Sequence, residues 1–298
     1  MFKPVGLRSL LFVPADSARK LAKGLASAAD ALILDLEDSV AAENKDQARQ
    51  MAAAALGGQR DSSGPLLLVR INPADSGRLQ DDLAAVVPAR PAAIVLPKCQ
   101  SGDEARHLGE QLATLERASG LDEGSIALLP IVTETAASLF AMGTYAGAGA
   151  RLMGLTWGAE DLSAALGATA VRDDDGCLTG PYALARSLTI VGARAAGVEP
   201  IDTIRQDFRD DAALGRECAS AARDGFTGKL AIHPGQLAII NAAFTPSDAE
   251  IAAAQRVVGA FADAPGQGVV ALQGQMLDRP HLVRAQGLLA RAEIILGK

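Results

Sequence analysis

The stretch Ile126-Ala127-Leu128-Leu129-Pro130-Ile131-Val132-Thr133-Glu134 is an apolar run that ends in a carboxylate. Short apolar runs of this kind are typical of buried strands. The pattern returns at residues 152–161 and 31–38, which also end in acidic side chains. A carboxylate at the end of a buried strand is costly unless a cation meets it. Three such strand ends therefore predict one oxygen-lined site for a hard divalent metal such as Mg2+.

Short apolar runs alternate with longer amphipathic stretches along most of the chain. The predicted strands are 8–14, 31–36, 66–72, 93–97, 126–133, 152–158, 198–204 and 229–233. The predicted helices between them are 17–28, 44–56, 102–118, 135–146, 181–196 and 211–224. Strands that alternate with helices form a parallel sheet. Eight such units in about 235 residues predict a (β/α)8 TIM barrel rather than an open doubly wound sheet.

The last part of the chain does not fit this repeat. It contains a predicted helix from Ser247 to Phe261, a Gly-rich turn, a short strand at 269–272 and a final helix from Pro280. Ser247 with an acidic residue three positions later is a helix-start signature. We therefore predict a barrel domain at residues 1–244 and a C-terminal extension at 245–298, which can pack on a neighbouring subunit.

The composition excludes several classes of protein. The 298 residues are 49% hydrophobic, enough for a large core, and the net charge of −7 argues against nucleic acid as the main partner. The cysteines Cys99, Cys177 and Cys218 lack a CxxC spacing, so neither a disulfide framework nor a zinc motif is expected, and a reducing cytoplasm is predicted. There is no run of about 18 apolar residues, so we expect no membrane-spanning segment.

Catalytic groups of a barrel enzyme lie at the C-terminal ends of its strands. The residues predicted at that rim are polar and carry both signs of charge: Asp16, Asp35, Glu37, Asp38, Arg70, Asn72, Lys98, Glu134, Glu160, Asp161 and His233. Any one of them could simply face solvent at a loop. Taken together, they indicate a site.

Glu134 and Asp161 are the predicted metal ligands. Mg2+ usually takes one or two carboxylates and completes its coordination with water and substrate oxygens. For Asp161 an alternative stays open, because the residue could instead be the N-cap of a helix at 162–166.

Arg70, Asp35 and Glu37 allow two interpretations. Arg70 presents a rigid fork that suits a carboxylate, so beside a metal it would clamp a 2-oxo or 2-hydroxy acid. Asp35 and Glu37 point to one face of their strand and could orient Arg70 or hold metal-bound water. In the alternative interpretation, the three residues form a structural salt bridge.

Lys98 and His233 are weaker candidates. Lys98 follows the fourth strand and could be a Schiff-base lysine, but an acidic neighbourhood would keep its ammonium charged. A lone histidine such as His233 is more often structural than catalytic. The sequence contains neither a GxSxG elbow nor an HExxH motif.

Several motifs, in order along nearly the whole chain, resemble the citrate lyase β-subunit-like proteins of the HpcH/HpaI aldolase family, which includes malyl-CoA and citramalyl-CoA lyases. They are Leu11-Phe12-Val13-Pro14, Leu34-Asp35-Leu36-Glu37-Asp38-Ser39-Val40, Val69-Arg70-Ile71-Asn72, Leu96-Pro97-Lys98, Glu134-Thr135, Trp157-Gly158-Ala159-Glu160-Asp161-Leu162, Ala231-Ile232-His233-Pro234 and Gly274-Gln275-Met276-Leu277-Asp278. The resemblance is specific for the family and much less specific for the substrate.

The resemblance implies a Mg2+-dependent barrel that makes or breaks a carbon–carbon bond in an acyl-CoA thioester. It assigns Glu134 and Asp161 to the metal and Arg70 to the oxo acid, next to Asp35 and Glu37, which their strand positions already place there. The substrate and coenzyme A positions are Phe12, Lys23, Arg70, Glu134, Glu160, Ile232 and His233. Asp278 matches a catalytic aspartate that reaches a neighbouring subunit's active site, and Asp278 as a helix N-cap is the alternative.

One position departs from the family. Relatives often carry arginine where this chain has Ser17, and Arg19, Lys20 and Lys23 are the alternatives for that phosphate contact. The expected function is cleavage of a malyl-, citramalyl- or citryl-CoA type 3-hydroxyacyl-CoA into a 2-oxo acid and an acyl-CoA, by a homotrimer or hexamer. The reverse condensation, a thioesterase, the β subunit of a citrate lyase complex acting on an acyl-carrier thioester, and a non-catalytic subunit that binds oxaloacetate or CoA remain alternatives.

Overall fold

A computed structural model describes residues 6–58 and 64–297. Its main sheet contains eight parallel strands, one for each predicted strand: β1 Ser9–Pro14, β2 Ala31–Asp35, β3 Leu66–Arg70, β4 Ala93–Leu96, β5 Ala127–Pro130, β6 Gly154–Thr156, β7 Glu199–Asp202 and β8 Gly228–Ala231. The predicted (β/α)8 barrel is confirmed. The strands are shorter than predicted at one or both ends.

The sheet closes into a barrel through a weak seam. Its strand order is β5-β4-β3-β2-β1-β8-β7-β6, so β5 and β6 are the two edges. These edges meet through two isolated parallel bridges, Leu128 with Leu152 and Ile131 with Thr156. The Val132 amide also donates to the Thr156 carbonyl at 2.9 Å. The barrel is therefore closed, and its seam lies between the strands that precede Glu134 and Asp161.

The barrel interior is apolar and formed by alternate strand residues. Its cluster includes Leu10, Ile33, Leu68, Ile201 and Leu230, and all of these are at most 3% exposed. Because side chains alternate across a strand, a residue two positions after a member of this cluster also points inward. At the C-terminal ends of the strands, this alternation decides which polar side chains enter the barrel.

Helices follow the strands around the barrel. The α-helices of this part are α1 Ala18–Leu25, α2 Lys45–Gly58, α3 Leu79–Val86, α4 Gly102–Ala118, α5 Glu160–Leu166, α6 Gly180–Ala195, α7 Asp211–Asp224 and α8 Leu237–Phe244. The helix predicted at 135–146 is instead a 3-10 helix, Ala137–Gly147. Ser138 and Thr144 each donate their hydroxyl to the carbonyl three residues earlier, a spacing that fits the tighter helix.

The chain divides into two compact units, Leu7–Asn241 and Ala242–Lys298. The second contains α9 Asp248–Ala262, the strands β9 Val269–Leu272 and β10 Gln275–Asp278, and α10 Arg279–Leu296. Ser247 caps α9 and exchanges hydrogen bonds with Glu250, the predicted helix-start signature. Gln273 and Gly274 both have positive φ, as a two-residue type I′ hairpin turn requires, so β10 pairs with β9. Across residues 6–58 and 64–297, no helix is long and apolar enough to cross a membrane.

Candidate active site at the barrel rim

Eight charged residues meet where β2 to β6 end, and we name them the rim cluster. They are Asp35, Glu37, Asp38, Lys45, Arg70, Lys98, Glu134 and Asp161. Asp35 and Arg70 stand two positions after Ile33 and Leu68 of the interior cluster, so both side chains enter the barrel. Seven of the eleven rim residues predicted from the sequence are thus brought together in space.

Arg70 is held by two acidic side chains and an aromatic ring. Its Nε and Nη2 donate to the two oxygens of Asp35 at 2.6 and 2.7 Å. Its Nη1 lies 3.0 Å from Glu37 Oε2, and its guanidinium stands 4.7 Å from the centre of the Phe12 ring. The salt bridge left open by the sequence is present. Asp35 takes Nε and Nη2 of the guanidinium, and Glu37 takes Nη1.

Lys98 connects Glu37, which follows β2, with Glu134 and Asp161, which follow β5 and β6. Its Nζ lies 2.5 Å from Glu37 Oε1 and 3.2 Å from Asp161 Oδ1, and its backbone N–H donates to Glu134 Oε2. Although burial acts to lower it, the hydrogen bond and charge of Glu37 hold the pKa of the Lys98 ammonium above its ordinary value. A lysine that stays charged in this way is unsuited to Schiff-base chemistry.

Glu134 is a buried carboxyl group without an ion pair to a cationic side chain among the described residues. The residue is 5% exposed. Burial raises its pKa to about 8, the Asp161 charge adds to this, and the Lys98 amide and ammonium partly oppose it. Gly158 gives Glu134 its room, because a Cβ there would lie 2.8 Å from Glu134 Cγ. A carboxyl group in this state would be stabilised as an anion by a cation at the site.

Asp161 lies in the first turn of α5, and Ala159 occupies the N-cap position. Its side chain is 32% exposed and pairs with Lys98. The structure therefore gives Asp161 an ion-pair partner within the rim cluster rather than a capping role. The neighbouring Glu160 is exposed in the same turn.

The donors of the rim cluster fit a divalent cation. Five carboxyl groups share three cationic side chains, Lys45, Arg70 and Lys98, so that with all five ionised two negative charges lack a counter-charge. Glu37 Oε2 is buried and lies 3.0 Å from Arg70 Nη1, but it accepts no hydrogen bond of good geometry within the described residues. In that same part of the chain, no three Asp, Glu, His or Cys side chains form a ready metal cage. The arrangement suits Mg2+, which takes one or two carboxylates and leaves other positions to water and substrate.

The other predicted binding residues lie at different places around the barrel. Ile232 follows β8 and is 37% exposed. His233 stacks on Phe208, with ring centroids 4.7 Å apart, and its Nδ1 accepts from the Gly235 amide. Lys23 is exposed in the last turn of α1.

Ser17, the position that departs from the family, is the N-cap of α1. Its hydroxyl accepts from the Lys20 amide. Arg19, Lys20 and Lys23 are all exposed on this helix. The short helix α1 therefore presents three exposed cationic side chains that can contact a phosphate.

Asp278 belongs to the second unit. It ends β10, directly before α10, and its carboxylate lies 2.5 Å from His281 Nδ1. The side chain is 53% exposed. This is the helix-start geometry of the alternative interpretation, and it leaves the carboxylate accessible.

Two supporting residues were not found from the sequence. Lys45 donates its ammonium to the carbonyls of Leu36 and Glu37 and to Asn72 Oδ1, each at 2.8 Å, and so holds the loop after β2. Asp82 accepts from the amide and the side chain of Asn72. Both lie on helices well away in sequence from the strand ends, so strand-end polarity gives no signal for them.

Comparison with known proteins identifies the family. The profile described as HpcH/HpaI aldolase/citrate lyase matches residues 8–234, and one described as C-C_Bond_Lyase of the TIM-Barrel fold matches residues 184–295. The chain is 36% identical to a (3S)-malyl-CoA thioesterase of Cereibacter sphaeroides, over 97% of this chain and 95% of that protein. It is 33% identical to mitochondrial citramalyl-CoA lyase of Mus musculus, over 99% and 89%.

A solved structure gives the same answer. The protein CitE from Mycobacterium tuberculosis, in complex with magnesium, acetoacetate and coenzyme A, matches with a TM-score of 0.75 and 33% identity. The match covers 95% of this chain and 97% of the other. The family predicted from the motifs is confirmed: this chain belongs to the HpcH/HpaI aldolase/citrate lyase family.

Proposed function

We propose that the protein is a Mg2+-dependent lyase that cleaves a 3-hydroxyacyl-CoA into a 2-oxo acid and an acyl-CoA. The observation that carries this proposal is the environment of Glu134. This buried carboxyl group, its pKa raised to about 8, lies at the barrel mouth beside Asp161 and Arg70. Relatives over nearly the whole chain act on malyl-CoA and citramalyl-CoA by name.

The residues divide the work of binding. Glu134 and Asp161 would hold Mg2+, which when bound supplies positive charge to the oxygens of the oxo acid. Arg70 keeps its guanidinium fixed on Asp35, and its Nη1, which lies 3.0 Å from Glu37 Oε2, would bind the substrate carboxylate. Phe12 lies under the guanidinium and limits access of water to that face. Ile232 and His233 at the end of β8 would contact the acyl-CoA, with Glu160 and Lys23 as outer binding residues.

The chemistry is a retro-Claisen or retro-aldol cleavage. The 3-hydroxyl group gives its proton to a carboxylate of the rim cluster, and its oxygen becomes the carbonyl oxygen of the 2-oxo acid. The bond between C2 and C3 breaks, and C2 takes the electron pair as an enolate of the thioester. The enolate then receives a proton, for which Asp278 of a neighbouring subunit is the proposed source.

That role of Asp278 requires a homo-oligomer, which we propose to be a trimer or hexamer. The second unit exposes apolar side chains next to this residue, with Met276 78% and Val283 58% exposed, and such side chains favour an interface. A cytoplasmic location remains a prediction.

The function is tested by incubating the purified protein with malyl-, citramalyl- and citryl-CoA, with and without Mg2+. We expect a 2-oxo acid and an acyl-CoA in equal amounts from at least one ester, detected by mass spectrometry. Asp161→Ala is the matched control and should lose both cleavage and Mg2+ binding. A parent protein that cleaves none of these esters, or cleaves equally well in a metal chelator, contradicts the proposal.

A thioesterase is the second candidate, favoured by the name of the Cereibacter sphaeroides relative. The same incubation distinguishes it, because hydrolysis releases free CoA and leaves the hydroxy acid intact. Acyl-carrier thioesters form a further arm of the panel, since a citrate lyase β subunit would prefer them to free CoA esters.

The shared site is tested with mixed oligomers. Asp278→Asn should keep Mg2+ affinity and lose most of the cleavage rate. When it is reassembled with Asp161→Ala, each variant supplies the group that the other lacks, so activity should return. If reassembled mixtures stay inactive, the site is not shared, and full activity of Asp278→Asn alone leaves Asp278 as a helix-start residue.

A further inference from the structure

One residue touches both proposed metal ligands through two different groups. Lys98 follows β4 with φ +53°, in the left-handed region that non-glycine residues rarely adopt. This conformation directs its backbone N–H to Glu134 Oε2 and its ammonium to Asp161 Oδ1. Glu134 comes after β5 and Asp161 after β6, so Lys98 holds together carboxylates from both sides of the seam.

The Lys98 ammonium also contacts carboxylates whose negative charge a bound metal would neutralise. Its Nζ contacts Asp161 at 3.2 Å and Glu37 at 2.5 Å, and a weaker contact to Asp38 measures 3.7 Å. These oxygens share their negative charge with any cation that binds there. A fixed cation within a few ångströms of Mg2+ opposes its binding, even where the two charges do not share an oxygen.

We propose that Lys98 is a positioning residue that acts as the site's internal counter-cation and weakens Mg2+ binding. Its amide keeps Glu134 in place with or without metal. Its ammonium pairs with Asp161 and Glu37 while the metal is absent, and it competes when Mg2+ enters. The substrate-free site therefore has a lower affinity for Mg2+ than Glu134 and Asp161 would have without the Lys98 ammonium. This inference rests on the metal assignment in the proposed function but not on the lyase reaction.

The experiment compares Lys98→Met with Lys98→Arg in the full chain. Methionine keeps the backbone amide and most of the stem but removes the charge, whereas arginine keeps the charge. Mg2+ affinity is measured by titration calorimetry without substrate, and the melting temperature is measured with and without Mg2+. We expect Lys98→Met to bind Mg2+ at least about tenfold more tightly than the parent. Lys98→Arg should remain close to the parent.

The melting data separate this role from a purely structural one. Without metal, Lys98→Met should melt below the parent because Asp161 and Glu37 lose their partner, and added Mg2+ should raise its melting temperature more than that of the parent. A residue that only supported the fold would lower the melting temperature without tightening Mg2+. If Lys98→Met does not fold, Lys98→Gln replaces it.

Lys45→Met is the matched control, because Lys45 is a cation of the same cluster that binds Leu36, Glu37 and Asn72 but neither metal candidate. Its Mg2+ affinity should change much less. Unchanged or weaker Mg2+ binding by Lys98→Met overturns the proposal, and so does equal tightening in both variants. A loss of lyase activity across the substrate panel would contradict the proposed function while leaving this result intact.

Discussion

Two charge clusters of the barrel differ in which face of the strands bears them. The rim cluster lies inside the barrel mouth. The second, which we name the outer cluster, lies on the other face of β7 and β8 and consists of Asp202, Lys229, Glu217 and Arg205. Asp202 and Lys229 adjoin the interior residues Ile201 and Leu230, so their side chains point away from the barrel axis.

The four residues of the outer cluster balance in charge, whereas the residues of the rim cluster do not. Lys229 Nζ donates to Asp202 at 2.8 Å, and Trp157 Nε1 donates to the other oxygen of the same carboxylate. Glu217 accepts from Arg205 and pairs with Arg172. Charges balance in this cluster, and Lys229 is 1% exposed. Charged residues that face the barrel mouth, with more carboxylates than cations, form the candidate site. Charged residues that face the surrounding helices, with equal numbers of both signs, stabilise the fold.

The largest effect is expected from breaking the outer cluster. Lys229→Met removes the cation from a fully buried pair and leaves Asp202 with one long ion contact, to Arg186 Nε at 3.9 Å. We expect the free energy of unfolding to fall by about 3–5 kcal/mol, measured by urea unfolding. Arg106→Met is the control, because its pairs with Asp103 and Glu110 are on the surface and should matter little. If the free energy of unfolding falls by a similar amount in both variants, the buried pair does not stabilise the fold more than a surface pair does.

The next effect concerns the uncompensated charge of the rim cluster. The folded-state pKa of Glu134 is raised to about 8 from its ordinary 4.5. Its contribution to the stability of the metal-free protein is therefore complete below pH 4.5 and is lost as the pH rises through 8. Mg2+ at about 100 times its Kd should add about 2.7 kcal/mol at pH 8.

At pH 5, where Glu134 holds a proton, the same Mg2+ concentration should add almost nothing. Thermal melting at the two pH values measures the difference. Equal stabilisation at both would mean that Glu134 is not the group that Mg2+ binds.

A smaller effect is expected from Arg70→Lys. Lysine cannot span both oxygens of Asp35 and still direct a donor to the substrate. Binding of pyruvate or oxaloacetate in the presence of Mg2+ should weaken by roughly 1–3 kcal/mol, measured by calorimetry. Arg205→Lys, in the outer cluster, should leave oxo-acid affinity unchanged. If Arg70→Lys binds as the parent does, Arg70 serves only the salt bridge.

The smallest effect is the reactivity of two buried thiols, which reports whether solvent reaches the rim cluster and the outer cluster. Burial raises the pKa of the Cys99 thiol, next to Lys98, to about 12, and that of the Cys218 thiol, near Lys229, to about 11. Cys177 is exposed. At pH 8 we expect one fast thiol per native chain, counted with a chromogenic disulfide reagent, and none in Cys177→Ser. A second fast thiol would reveal opening of the cluster beside it.

Much of this could be predicted from the sequence because both the strands and their polar ends are local patterns. The eight apolar runs mark the barrel, and the carboxylates that close three of them mark its rim. The strand β10 was not predicted, because Gln275–Asp278 has no apolar run and depends on the hairpin turn at Gln273 and Gly274.

The contacts inside the clusters could not be predicted in the same way. Which partner each charge meets depends on the barrel's closure and on backbone angles. The positive φ of Lys98 is one example, since no propensity of lysine favours it. The pairing of Lys229 with Asp202 is another, because it joins residues of two strands with a helix between them.

The weak seam between β5 and β6 gives the metal a mechanical consequence. Glu134 and Asp161 follow the two strands that isolated bridges join, so an ion held by both would act as a fastener across the barrel's least continuous hydrogen-bond ladder. Amide hydrogens at that joint, such as those of Leu128, Val132 and Met153, should exchange with deuterium faster than their counterparts in β1 and β2. Mg2+ should slow exchange there more than anywhere else in the barrel, so that filling the site also determines how often the barrel opens.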